Sequence, residues 1–278
     1  MRDTQPNTPD DLAPKKSSGR IFRQEVREGR QALERSGGRL FVSGFSAGLE
    51  VGLSLLLIAI VRSEGTGSVD RLLLDLLAGT MYSFGFVVVI LGRSELFTEQ
   101  TTLAVLPLLA GKTTLGKVMR LWGVVYTANL LGAAACALFL VNTAPALKHL
   151  DPQVFGRIAT ELVEHSGWII ILSGILAGWI MGLLSWGVAA GRDTISQIVL
   201  IWMFTSVIGI ARAHHAVLGT TEVLAGILVG ANTWEQFAHF LFFTTIGNAL
   251  GGAIFVALLK YGHARPEANP DDDGNRDR

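Results

Sequence analysis

Ionisable side chains stand inside apolar runs of this sequence, and their types point to work done on charge rather than on covalent bonds. Arg212, His214, His215 and Glu222 fall in one apolar stretch, Arg93, Glu95 and Glu99 in another, and Glu50 in a third. On insertion scales an Arg, Lys or Asp at the centre of a membrane helix costs roughly 2.5–3.5 kcal/mol, so such groups tend to face a cavity or one another. The adjacent histidines are the sharpest feature. Imidazole changes charge near neutral pH, and the N-terminus of a half-helix stabilises a nearby anion, which makes His214 and His215 candidates for a proton relay or an anion site. The competing role is a hydrogen bond to loop carbonyls. Arg93 and Glu99 read more readily as an interfacial helix end.

Metal and catalytic chemistry find no support in the residue pattern. His214 and His215 are too close along the chain to ligate one ion together, Glu95 is only a possible third donor, and no HExxH or Cys cluster occurs. A P-loop is also missing, which argues against a pump with its own ATP site. The single cysteine, Cys136, lies in an apolar run and reads as packing. The expectation is therefore a protein without a metal site or enzymatic activity.

What must position these groups is a membrane domain. The chain of 278 residues is 50% hydrophobic and 17% charged, with a mean hydropathy of +0.43, more apolar than an ordinary soluble domain. Apolar runs near the roughly 20 residues that cross a hydrocarbon core recur from Leu40 to Tyr261. They predict spans at 40–62, 71–93, 118–142, 167–190, 195–229 and 235–261. The fifth is too long for one helix. Residues 94–111 and 210–230 are apolar but interrupted by polar clusters, so the second and fifth spans each break into two half-helices. Backbone that leaves the helix at that depth must be shielded by protein or line an aqueous cavity.

Nine Lys and Arg precede Leu40, and Lys112, Lys117, Arg120 and Arg192 fall on the same side. By the positive-inside rule that side is cytoplasmic, with both termini inside a bacterial-type inner membrane. No signal peptide is evident, and nothing in the charge pattern implies nucleic acid. Three regions follow: a cytoplasmic tail over 1–39, a transport domain over 40–261, and a disordered cytoplasmic tail over 262–278. Within the first, residues 1–20 read as disordered. Ile21 to Arg35 sets Phe22, Val26 and Leu33 near one helical face among arginines, as expected of a helix on the anionic leaflet or of a solvated helix leading into the first span.

An internal repeat sets the architecture. Ser43-Gly44-x-x-Ala47-Gly48-x-x-x-Gly52 in the first span matches Ser173-Gly174-x-x-Ala177-Gly178-x-x-x-Gly182 in the fourth. Asn129-x-Leu131-Gly132 in the third matches Asn248-x-Leu250-Gly251 in the sixth, and that register sets Glu95-Leu96-Phe97-Thr98 opposite His214-His215-Ala216-Val217. A three-span repeat must be inverted in the membrane, and broken helices at matching positions point to a transport path near the midplane. Small residues alone would explain close helix packing, but not the paired polar breaks.

Ser94-Glu95-Leu96-Phe97-Thr98, Gly178-Trp179, Gly191-Arg192, the histidine pair and Thr245-Ile246-Gly247-Asn248-x-x-Gly251-Gly252 together resemble the formate/nitrite transporter family, over roughly residues 40–261 and most closely a YfdC-like branch. The resemblance implies an all-α, aquaporin-like protomer of six helices in two inverted repeats, assembled as a homopentamer in the lipid bilayer. Each protomer would be a channel or proton-coupled carrier, with no cofactor, for small monovalent anions such as formate, nitrite or hydrosulfide. It further implies that Thr98 is the loop threonine and His215 the central histidine, beside Leu96 and Phe97, with apolar constrictions at Phe86 and Tyr82 on one side and Ile208 on the other. Gly178 stands where family members have an asparagine partner for the histidine, and His214 where an acid is common. Arg212, His214, Glu95 and Glu50 are expected to tune the electrostatics. The competing classes are a neutral-solute or water pore of the same fold, although no Asn-Pro-Ala motif is present, and a membrane scaffold or enzyme.

Overall fold

The computed structural model describes residues 15–264, and the regular structure among them is helical. The tail residues 1–14 and 265–278 lie outside the described residues. The chain begins with α1 (Ser18–Glu34), followed by α2 (Gly37–Gly65) and α3 (Arg71–Gly92). Two short helices, α4 (Phe97–Leu103) and α5 (Val105–Leu109), precede α6 (Leu115–Thr143) and α7 (Gln153–Val163). The second half holds α8 (Gly167–Ala190), α9 (Thr194–Ala211), α10 (Ala216–Leu228) and α11 (Trp234–Ala264). Six of these, α2, α3, α6, α8, α9 and α11, are long and apolar enough to cross a membrane. Both expected breaks are present, between α3 and α4 and between α9 and α10.

The two breaks are built alike. Arg93 ends α3 at φ 59° and Arg212 ends α9 at φ 51°, both in the left-handed region that side chains other than glycine seldom adopt. In each case the following N–H turns back to a carbonyl inside the helix: Ser94 to Val89 at 3.1 Å and Ala213 to Ile208 at 3.0 Å. These bonds satisfy carbonyls that the helix end would otherwise orphan.

Glycines let the paired spans touch. A Cβ at Gly48 would sit 2.9 Å from the Gly132 Cα, and one at Gly178 would sit 2.8 Å from the Asn248 Cα. α2 therefore crosses α6, and α8 crosses α11, at backbone contact, as small-xxx-small faces allow. One half departs from the pattern: residues Gly251–Leu258 of α11 form a π-helical segment.

Two elements differ from the sequence reading. The apolar face of α1 packs on the protein itself. Phe22 and Val26 are buried against Leu106, Ala257 and Ala264, with Trp186 and Tyr261 packed alongside, because α5 and the end of α11 offer that face an apolar bed. α7 occupies a stretch that the spans left as a loop. Its Val154, Phe155, Ile158, Ala159 and Val163 are buried and recur at helical spacing. The face carrying α1 and the end of α11 is called proximal below, and the face carrying α7 distal.

Candidate functional site

The halves meet at the tips of their breaks, and two asparagines hold those tips. Asn129 accepts from the Phe97 N–H at 2.8 Å and donates to the carbonyls of Gly44 at 2.8 Å and Glu95 at 2.9 Å. Asn248 accepts from the Ala216 N–H at 2.8 Å and donates to the carbonyls of Gly174 and His214, both at 2.9 Å. Serines complete the match: the Glu95 N–H donates to Ser43 and the His214 N–H to Ser173, each at 3.1 Å. The sequence repeat thus returns as one set of hydrogen bonds made twice. Symmetry ends one turn further along. Thr102 donates to the Gly252 carbonyl in the π segment at 3.1 Å, whereas the hydroxyl of its counterpart Thr221 is buried without a partner.

Held this way, Thr98 at the start of α4 and His215 at the N-cap of α10 face each other, with Thr98 Oγ1 2.8 Å from His215 Nε2. Both are buried, and the other ring nitrogen, Nδ1, accepts from the Leu218 N–H at 3.3 Å. An accepting Nδ1 carries no proton, so Nε2 bears it and donates to Thr98. The threonine hydroxyl then keeps its own proton for a third group. Phe86 stands edge-on to the imidazole with ring centroids 5.1 Å apart, and Tyr82 stacks on Phe86 at 5.3 Å.

Apolar and charged groups flank this contact. On the distal side Tyr82, Gly209, Ala213, Arg212 and Glu222 line one cavity. Ile208, fully buried, immediately precedes Gly209, and Gly209 packs on Tyr82. Tyr82 and Ile208 therefore share the distal side and do not stand on opposite sides of the histidine, since α9 runs up to the break where α3 runs down past it. Towards the proximal side the buried residue is Leu96, next to Glu95 and Ser94 on the wall of a cavity of about 470 Å³.

The remaining sequence candidates divide by their partners. Both ring nitrogens of His214 are occupied away from Thr98: its Nδ1 lies 2.8 Å from Ser173 Oγ and its Nε2 3.0 Å from the Leu162 carbonyl. Arg212 pairs with Glu161 on the distal cavity wall instead of pointing at His215. Glu95 is paired with Arg35 at 2.6 Å and accepts from Gln100 at 2.5 Å. Glu50 accepts from Ser46 at 2.5 Å and lines neither the proximal nor the distal cavities. Phe97 packs on Tyr126 with centroids 4.7 Å apart. Gly178 faces α11, where a side chain would meet the Asn248 backbone. Sequence reasoning missed the acids of α1. Glu25 is buried on the proximal cavity and accepts from Ser185 at 2.9 and 3.2 Å. The signal was there: Glu25 lies between Phe22 and Val26, on the buried face. Among the described residues, no group of three or more His, Cys, Asp or Glu is placed to hold a metal ion.

Comparison with known proteins bears on the same geometry. The family described as Formate/nitrite transporter matches residues 19–262. Inner membrane protein YfdC of Escherichia coli (strain K12) is 32% identical over 241 residues, covering 86% of this chain and 76% of its own length. Nitrite transporter NirC of the same strain is 26% identical over 231 residues, covering 82% and 84%. Among solved structures, an FNT family ion channel shares the fold with a TM-score of 0.78 at 23% identity, covering 88% of this chain and 99% of its own. A pentameric formate channel with formate bound does so with a TM-score of 0.72 at 21% identity, covering 82% and 97%.

Proposed function

Because this chain belongs to the formate/nitrite transporter family, and is thus a multi-pass membrane channel or transporter and not an enzyme, we propose that it moves a small monovalent anion through each protomer past Thr98 and His215. The observation that carries this reading is the 2.8 Å contact between those two side chains, one from each inverted half. An anion reaching that point meets the free Thr98 O–H, and the His215 N–H behind Thr98 strengthens the hydroxyl as a donor. Tyr82 and Ile208 on the distal side and Leu96 on the proximal side are apolar barriers. A charged solute must shed water to pass them, while its protonated form sheds far less. In this reading the proton comes with the solute from bulk water, because His215 already uses Nδ1 as an acceptor.

The proximal face, which carries the Lys- and Arg-rich N-terminal segment, is cytoplasmic in this proposal. The membrane is the bacterial inner membrane, in keeping with the similarity to YfdC. The assembly is a homopentamer, supported by the fold shared with a pentameric formate channel. The test is flux of formate, nitrite and chloride into proteoliposomes, with native mass spectrometry of the detergent-purified protein alongside. Saturable uptake of at least one weak-acid anion by a pentamer is expected. Uptake of glycerol or water but no anion would overturn the substrate class, and a stable monomer or dimer would overturn the assembly.

A further inference from the structure

A path for anions would end, on the proximal side, in a cavity walled by acids. Glu25, Glu28, Glu95 and Glu99 line it. Arg35 is committed to Glu95 at 2.6 Å, and an exposed Arg93 reaches Glu28 only at 3.7 Å. Glu25 is 1% exposed and has the Ser185 hydroxyl as its hydrogen-bond partner. Among the described residues no cation lies within ion-pair distance of Glu25 or Glu99.

A second observation is independent of these charges. Gln100 lines the same cavity and is 3% exposed. Its Nε2 donates to Glu95, which fixes the orientation of the amide and leaves the carbonyl oxygen Oε1 buried with no partner. A buried acceptor in that condition calls for a donor that the protein does not supply.

We infer that the proximal cavity is a binding site for an organic ammonium ion, held by Glu25, Glu99 and the carbonyl oxygen of Gln100. A bare metal ion is disfavoured because the acids do not converge at ligand spacing. An ammonium group instead presents several N–H donors in different directions. The cavity of about 470 Å³ is far larger than an ion and suits a short alkyl diamine. Burial pushes the Glu25 carboxyl up to about 8, and the charged groups facing it are Glu28 and Arg35 on α1, Arg93 and Glu95 at the break, and Glu99 on α4. An arriving cation favours the ionised carboxylate, so affinity rises as the pH rises towards about 8.

The experiment is calorimetric titration of the full-length, detergent-purified protein with 1,4-diaminobutane, with tetramethylammonium chloride and potassium chloride as comparators at equal ionic strength. Saturable binding of the diamine alone is expected, weaker by about tenfold or more in Glu99→Gln and in Glu25→Gln and unchanged in Glu161→Gln on the distal face. Either acid variant suffices if the other fails to fold. No saturable heat, equal binding of tetramethylammonium, or full affinity in a folded acid variant would overturn the site. The readout is binding, so its outcome is separable from whether the transported solute is an anion.

Discussion

Asn129 and Asn248 make the same three hydrogen bonds, each tying the break of its own half to a span of that half through one acceptor and two donors. Neither amide is free to do anything else. Their shared role explains why the breaks hold one shape although both interrupt helices in an apolar setting, where unpaired backbone groups are costly.

Removing either amide should therefore act on structure before it acts on permeation. Asn248→Ala leaves the Ala216 N–H and the His214 carbonyl buried without this partner, at roughly 1–3 kcal/mol for each orphaned group. A thermal midpoint lowered by several degrees and loss of flux are expected, with Asn129→Ala behaving alike. An unchanged melting curve in both variants would mean that other contacts fix the breaks.

Much of this arrangement was legible in the sequence because membrane spans must be continuous apolar runs and inverted repeats must match in spacing. The asparagine pair and the interruptions at 94–111 and 210–230 were enough to place both breaks. Side-chain direction was not legible. His214 and His215 are neighbours of one type, yet one ring is tied to Ser173 and the Leu162 carbonyl while the other meets Thr98. That difference arises where the N-cap begins α10, which no composition or period reports. The same holds for Ile208, whose side relative to His215 depends on how far α9 runs before it turns, and for α1, whose bed is built by residues far along the chain.

The apolar barriers can be separated by widening them one side at a time. Tyr82→Ala with Ile208→Ala opens the distal side, and Leu96→Ala the proximal side. If each is a barrier in series, either change alone should raise chloride leak only modestly, and the combined variant should raise it by far more. Chloride flux through the combined variant equal to wild type would remove Tyr82, Ile208 and Leu96 from the path.

Thr98 and His215 make a sharper pair of tests. Thr98→Ser keeps the hydroxyl and should keep most of the flux, whereas Thr98→Val removes the donor and should lower anion flux by about tenfold or more. His215→Asn retains an N–H toward Thr98, so rate falls but the shape of the pH profile stays that of wild type. A folded His215→Asn protein that lost its pH dependence would show the imidazole to be a proton relay after all.

The buried Glu25 carboxyl makes the docking of α1 depend on pH. Burial raises it from an ordinary value of 4.5 to about 8, the Ser185 hydroxyl opposing and Glu28 and Glu99 adding to the rise. When α1 lifts away, Glu25 returns toward its ordinary value. Between about pH 5 and about pH 8 the docked state therefore holds a proton that the undocked state has released, and rising pH favours undocking. The stabilisation is fully present below the lower value, declines by up to about 1.4 kcal/mol per pH unit through the window, and falls no further above the upper one. Hydrogen exchange over residues 18–34, corrected for the intrinsic rate, should accelerate by up to about tenfold per pH unit in that range. Glu25→Gln carries no charge in either state, so its exchange should be flat over the same range. A slope in Glu25→Gln equal to that of wild type would assign the effect to another group on the cavity wall.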